Sequence, residues 1–115
     1  MKKNPESFLP LSQATYYILL SLRNVRHGYA IMQDIEEISL GLVEMGPGTL
    51  YGALGKLEKQ GIILKEKVDK GDRRKYYRLS ALGTEVLKLE YSRLQSLVDH
   101  AKHLIDELGG NNNDN

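Results

Sequence analysis

Nine of the sixteen lysines and arginines fall between residues 47 and 80: Lys56 and Lys59, then Lys65, Lys67, Lys70, Arg73, Arg74, Lys75 and Arg78. Four acids, Glu58, Glu66, Asp69 and Asp72, accompany them, so this stretch carries +5. Residues 1–28 carry +3, residues 29–46 carry −4 and residues 81–115 carry −3, and the net charge of +1 hides that sorting. Cations gathered in one stretch suit a polyanion, because duplex DNA releases condensed counterions when its phosphates are neutralised. A lysine-rich hairpin equally suits a solvated sheet edge that resists strand addition. Charge alone does not choose between the two.

Other chemistry is thinly supplied. The chain has no cysteine, which excludes disulfides, thiolate metal sites and cysteine nucleophiles and is compatible with a reducing cytoplasm. Of the three histidines, His27 precedes a glycine and is expected to shape a turn. His100 and His103 lie three apart near Asp99 and Asp106 but lack a third strong ligand, so no metal site is expected. Glu36 and Glu37 are adjacent on a helix and diverge rather than converge. Nothing points to catalysis or to a cofactor. The apolar run Tyr16–Leu20 with Leu22 is too short and too late for a signal peptide, and no stretch approaches the roughly 20 apolar residues of a membrane span. A soluble, unprocessed cytoplasmic protein without a membrane partner is expected.

The elements that must position the cations can be read from periodicity. With 115 residues, 41% hydrophobic and 27% charged, the chain suits one globular unit. Ser12 is a natural N-cap for a first helix with Ala14, Ile18, Leu19 and Leu22 at helical spacing. A second helix is expected from about Tyr29 to Ser39. Its inner face would be Ile31, Ile35 and Ile38, its outer face Asp34, Glu36 and Glu37, and Gly41 would end it. Pro47 is placed to open a third helix that turns Leu50, Leu54 and Leu57 inward and closes at Gly61. Strands over Ile62–Val68 and Lys75–Leu79, joined by the turn Asp69-Lys70-Gly71-Asp72, form one hairpin. A long helix follows from Ala81 to about Leu108. Three helices, a hairpin and a helix make a mainly α (α+β) winged helix-turn-helix. The expected division is a DNA-binding domain over 1–80, a dimerisation helix over 81–108 and a polar, disordered tail over 109–115.

Three stretches, in order and in register, resemble the PadR family of winged-helix transcriptional regulators, in its smaller branch with a single C-terminal helix. They are His27-Gly28-Tyr29-Ala30-Ile31, Gly48-Thr49-Leu50-Tyr51-Gly52-Ala53-Leu54-Gly55-Lys56-Leu57-Glu58, and Arg73-Arg74-Lys75-Tyr76-Tyr77-Arg78-Leu79-Ser80, with Ala81-Leu82-Gly83 leading into the last helix. The likeness spans about residues 9–90. It implies a homodimeric repressor on a pseudo-palindromic operator in double-stranded DNA, often released by a small-molecule inducer. It also departs from the family: Gly52 and Gly55 stand where larger residues are usual, so base readout is expected to be sparse.

Residue assignments follow from this frame. Thr49 and Lys56, near the start and on the outer side of the third helix, are the expected base readers, with Lys59 beside them. Tyr51, one step past inward Leu50, is expected at the rim, where the resemblance favours a phosphate contact over packing under the wing. Gly52 and Gly55 serve either close approach to DNA or tight helix packing. Lys70, Arg73, Arg74 and Lys75 at the wing turn are expected to hold phosphates or a narrow minor groove. Tyr76 and Tyr77 point to opposite faces of their strand, one inward. On the last helix Leu87, Leu94, Ala101 and Leu108 recur every seven residues, interleaved with Tyr91, Val98 and Ile105. That heptad seam suits a second copy of the helix, with Tyr16 of the first helix contributing. An inducer would sit between these apolar helices. The competing reading is a winged-helix module for a protein partner.

Overall fold

A computed structural model describes residues 3–110. After a 3-10 turn over Pro5–Phe8, the order is α1 (Gln13–Ser21), β1 (Arg26–His27), α2 (Gly28–Ile38), α3 (Pro47–Lys59), β2 (Ile63–Glu66), β3 (Tyr76–Leu79) and α4 (Ala81–Gly110). Three of the four helices begin at a side chain placed to accept from a free N–H group. Ser12 Oγ accepts from the Thr15 amide at 3.1 Å, and the Ala30 amide is aimed at His27 Nδ1 at 3.2 Å. Gly46 caps α3 without a side-chain bond, and Pro47 occupies its first turn, where a missing N–H costs nothing. Ser80 Oγ accepts from the Gly83 amide at 3.0 Å at the start of α4.

Two helices stop by left-handed residues that return amides to the last free carbonyls. In α3 this is Gly61, at φ 79°, with the Ile62 amide on the Leu57 carbonyl at 3.0 Å. In α2 the turn begins one residue earlier than the sequence suggests, at Leu40 with φ 55°, ahead of Gly41 at 81°. The Gly41 amide then reaches the Glu36 carbonyl at 2.8 Å.

The sheet has three strands rather than the two of a simple hairpin, in the order β1-β3-β2, all antiparallel. Arg26 pairs with Tyr77 and His27 with Tyr76, while Ile63 pairs with Leu79 and Glu66 with Tyr76. β1 is two residues long, too short to show alternation, and so leaves no period-2 signal in the sequence. β2 and β3 are shorter than expected because the chain leaves the ladder after Glu66 and rejoins it at Tyr76.

The core joins Ile18, Leu19 and Leu22 of the α1 region to Ile31 and Ile35 of α2 and to Leu50, Leu54 and Leu57 of α3. Ile62, Ile63, Tyr77 and Val86 complete it. Tyr77 is the inward member of its pair and Tyr76 is partly exposed. On α2 the expected faces need correction. Ile38 is exposed, whereas Asp34 is buried and held by Arg23, at 2.8 Å and 3.2 Å, and by Arg26 at 3.5 Å. A buried carboxylate is tolerable only when so paired. Arg23 comes from the α1–β1 connection and Arg26 from β1, at separations no helical periodicity reveals.

α4 is anchored at its start and free along its length. A methyl group at Gly83 would overlap the Ile62 carbonyl, so glycine lets the helix dock directly on the backbone before β2. One turn further, Val86 enters the core, and buried Glu90 accepts from the Leu11 amide at 3.0 Å and from Arg93 at 2.7 Å. The helix runs two residues past Leu108, through Gly109 and Gly110. The expected disordered tail otherwise falls on residues 111–115, outside the described residues.

Candidate nucleic-acid interface

α3 sorts its thirteen residues by packing. Leu50, Leu54 and Leu57 are buried, which turns Gly48, Gly52, Gly55 and Lys59 to the opposite side at 100° per residue. Thr49 and Lys56 flank that ridge on one side and Tyr51 on the other, all exposed. A Cβ added at Gly48, Gly52 or Gly55 would meet nothing within 4 Å. Tight packing between helices is therefore not what these glycines serve; the outer surface of α3 is bare backbone open to solvent.

Tyr51 is about half exposed, and its hydroxyl lies over Gly28 at the start of α2, so closely that a methyl at Gly28 would overlap it. The glycine of His27-Gly28-Tyr29 thus makes room for a residue of α3. Tyr51 packs against the start of α2, with its rim open to solvent.

The wing sorts its cations into paired and free. Arg78 Nε donates to Glu66 at 2.6 Å across the β2–β3 ladder, and Lys65 lies 3.7 Å from Glu58 of α3. Arg74 is folded back: Nε and Nη2 donate to Asp72 at 3.1 Å and 2.9 Å, and Nη1 lies 3.1 Å from His27 Nε2. Tyr76 adds its hydroxyl to Asp72 at 2.8 Å. The guanidinium of Arg74, then its amide and the Tyr76 hydroxyl, hold the Asp72 carboxyl well below the usual carboxylate range. In turn Asp72 raises both Arg74 and Tyr76. Lys70, Arg73 and Lys75 make no ion pair among the described residues and are exposed, as are Lys56 and Lys59 of α3. Lys67, one residue past β2, joins them, although its place in the sequence singles it out only as one more charge.

The outer half of α4 is the second unusual surface. Tyr91, Val98, Ile105 and Leu108 are 59%, 65%, 59% and 73% exposed, values that leave a run of large apolar side chains without cover in one chain. Leu97 and Leu104, both exposed and seven apart, widen the stripe beyond the expected seam. Leu94 and Ala101 are partly exposed between them. Leu87 lies against the core of its own chain, and Tyr16 is half-buried near Glu90, where burial first and Glu90 second push its hydroxyl pKa up. Among the described residues no helix is long and apolar enough to cross a membrane, and no cluster of histidines and acids could hold a metal.

A helical trio, a small sheet ending in a basic hairpin and a long final helix define a winged helix-turn-helix protein. Residues 16–89 match the Transcriptional regulator PadR-like family, and the chain belongs to it. It is 33% identical over 86 residues to Uncharacterized protein X of Lysinibacillus sphaericus, covering 70% of this chain and 78% of that protein. Among solved structures, a PadR family transcriptional regulator from Eggerthella lenta superposes with a TM-score of 0.64 at 27% identity, over 88% of this chain and 80% of that one. A transcriptional regulator from Clostridium thermocellum gives 0.65 at 25% identity, over 79% and 90%. The protein is a DNA-binding transcriptional regulator and not an enzyme.

Proposed function

We propose that the protein is a cytoplasmic repressor that binds a pseudo-palindromic operator as a homodimer, with α3 in the major groove and the wing on the flanking backbone. The carrying observation is the pairing of a bare, lysine-edged outer face on α3 with free cations on the adjoining wing. On this reading residues 1–80 are the DNA-binding unit. Thr49 and Lys56 read base edges, Tyr51 and Lys59 contact phosphates, and Lys67, Lys70, Arg73 and Lys75 hold the backbone. Arg74 joins them once freed from Asp72.

Residues 81–108 form the dimer helix, with Tyr91, Leu94, Val98, Ala101, Ile105 and Leu108 in a seam against the partner copy, and Tyr16 and Leu87 at its inner end. Covering each large apolar side chain contributes about 1.5–3 kcal/mol, enough for several to hold two copies together. A releasing ligand has two candidate places. One is the dimer seam beside α1; the other is a cleft of about 220 Å³ where Phe8, Pro10, Thr15, Lys56 and Leu57 meet. Occupying the second would restrain Lys56.

A gel shift against the protein's own upstream region, at two salt concentrations and with competitor DNA, tests the central claim. Retardation that survives competitor is expected. If no DNA is retained even at low salt, the wing and α3 serve a protein partner instead.

A further inference from the structure

His27 stands between the wing and the reading unit with two partners and one lone pair. Its Nδ1 lies 3.2 Å from the Ala30 amide, which it caps, and its Nε2 lies 3.1 Å from Arg74 Nη1. Both partners are donors. A neutral imidazole carries one N–H and one acceptor nitrogen, whichever tautomer it adopts. Accepting from Ala30 turns an N–H towards the Arg74 guanidinium; accepting from Arg74 turns one towards the Ala30 amide. One of the two contacts is satisfied at a time. The protonated ring satisfies neither.

The surroundings sharpen the contest. Arg74 is steered at the ring by Asp72, which grips Nε and Nη2 and leaves Nη1 free. The Tyr76 ring meets the imidazole edge-on at 5.2 Å between centroids, which fixes its plane. On the other side Gly28, next in sequence, lies under the Tyr51 hydroxyl of α3. The ring thus links the wing, the α2 cap and the reading helix. Arg74 remains 60% exposed along its side chain, so a phosphate can reach it from outside.

We propose that His27 is a positioning residue in which Arg74 and the Ala30 amide compete for one lone pair, and that a DNA phosphate decides the contest by drawing Arg74 off. In the free protein the charge-assisted bond from Arg74 takes a substantial share, since such bonds are roughly twice as strong as neutral ones. On DNA the guanidinium turns to phosphate, Nδ1 takes the Ala30 amide, and the start of α2 is fully capped beneath Tyr51. Wing engagement and ordering of the α2 start then occur together. This last step rests on the DNA-binding role proposed for the wing.

The experiment is imidazole nitrogen NMR on the full chain, with His27 assigned by comparison with His27→Asn, a substitution that keeps a capping oxygen. Arg74→Ala, at an exposed position, tests the contest without DNA. Expected is a downfield movement of Nδ1 towards its unprotonated value and an upfield movement of Nε2 towards its N–H value. Unchanged shifts would mean that Arg74 does not compete, and the proposal falls. Duplex DNA added to the unmodified protein should move both nitrogens in the same directions. Binding without that movement overturns the coupling to DNA. Failure of any duplex to bind overturns the DNA role itself, and the Arg74→Ala spectra keep the two failures apart.

Discussion

The outer face of α3 gives a prediction in which stability and function move in opposite directions. Gly52 and Gly55 lie inside a thirteen-residue helix, and nothing stands within 4 Å of where their Cβ atoms would be. Glycine inside a helix costs about 0.8–1.0 kcal/mol relative to alanine, because the unfolded chain loses more freedom. With no neighbour to clash, Gly52→Ala with Gly55→Ala should recover nearly all of this, about 2 kcal/mol together. At roughly 2 cal/mol/K of unfolding entropy per residue, that is a rise in Tm of about 8 °C, compared at one protein concentration because the stability of the proposed dimer would depend on it.

DNA affinity should fall in the same variant. If the ridge lets the α3 backbone approach the duplex, two methyl groups hold it off and weaken the contacts on both flanks. Losing one good base contact, about 1–3 kcal/mol, already weakens binding by roughly fivefold to a hundredfold. Thermal melts and fluorescence anisotropy on one preparation measure both effects. A Tm that stays put or drops refutes the open-face argument. Raised stability with unchanged affinity refutes close approach and leaves the glycines as a helix weakness without a role in DNA binding.

Three further perturbations address the wing, the seam and the buried acid. Arg73→Ala with Lys75→Ala should weaken binding to all duplexes alike and reduce the slope of log affinity against log salt by about 0.9 per lost phosphate contact; a change of sequence preference with the slope intact would mean base readout by the wing. Val98→Asp with Ile105→Asp should give a folded monomer by sedimentation with operator binding lost, whereas an intact dimer would place the interface elsewhere. Glu90 is held below the ordinary glutamate range by its bonds first to Arg93 and then to the Leu11 amide, against burial. A depressed carboxylate stabilises the fold above the unfolded value, about 4.3, and that contribution is lost as pH falls towards and through the folded value. Glu90→Gln should therefore cost about 1–2 kcal/mol at neutral pH, less than a fully enclosed pair because Arg93 reaches water. Its urea midpoint should also decline less than the wild type's on acidification; parallel declines would show that Glu90 is not the titrating group.

How much of this was legible in the sequence depends on the range of the interaction. Ser12, Pro47, Gly61 and the leucines of α3 act within one or two turns, so their types and spacing nearly determine the local structure. Arg23 and Arg26 reach Asp34 across a change of element, and Leu11 reaches Glu90 across 79 residues. Such pairs leave no periodic trace. Asp34 was the misleading residue: polarity put it on the solvent side, whereas its face follows from two arginines that periodicity does not connect to it. Likewise the third strand is a two-residue bridge made visible only when Tyr76 and Tyr77 come alongside. Gly52 and Gly55 were legible as anomalies and ambiguous in meaning, because a bare ridge and a packed ridge have the same sequence.

Charge shows the same limit at the site. The sorting by segment is correct as a count, but pairing redistributes it. Arg23 and Arg26 of the basic first segment neutralise Asp34 of the acidic second, so neither excess reaches solvent in full. Within the basic third segment Arg78 is tied to Glu66 and Arg74 to Asp72, while Lys56, Lys59, Lys67, Lys70, Arg73 and Lys75 make no ion pair among the described residues. The cations left for a ligand are thus mostly lysines. Lysine is a flexible point charge without the planar fork that gives arginine its bidentate reading of guanine. A surface of this kind favours backbone attraction over base discrimination. It leaves Thr49, Lys56 and the approach allowed by the glycine ridge as the places where sequence preference can arise. Arg74, the guanidinium aimed at His27, is then the wing residue whose contribution depends on what it must release first.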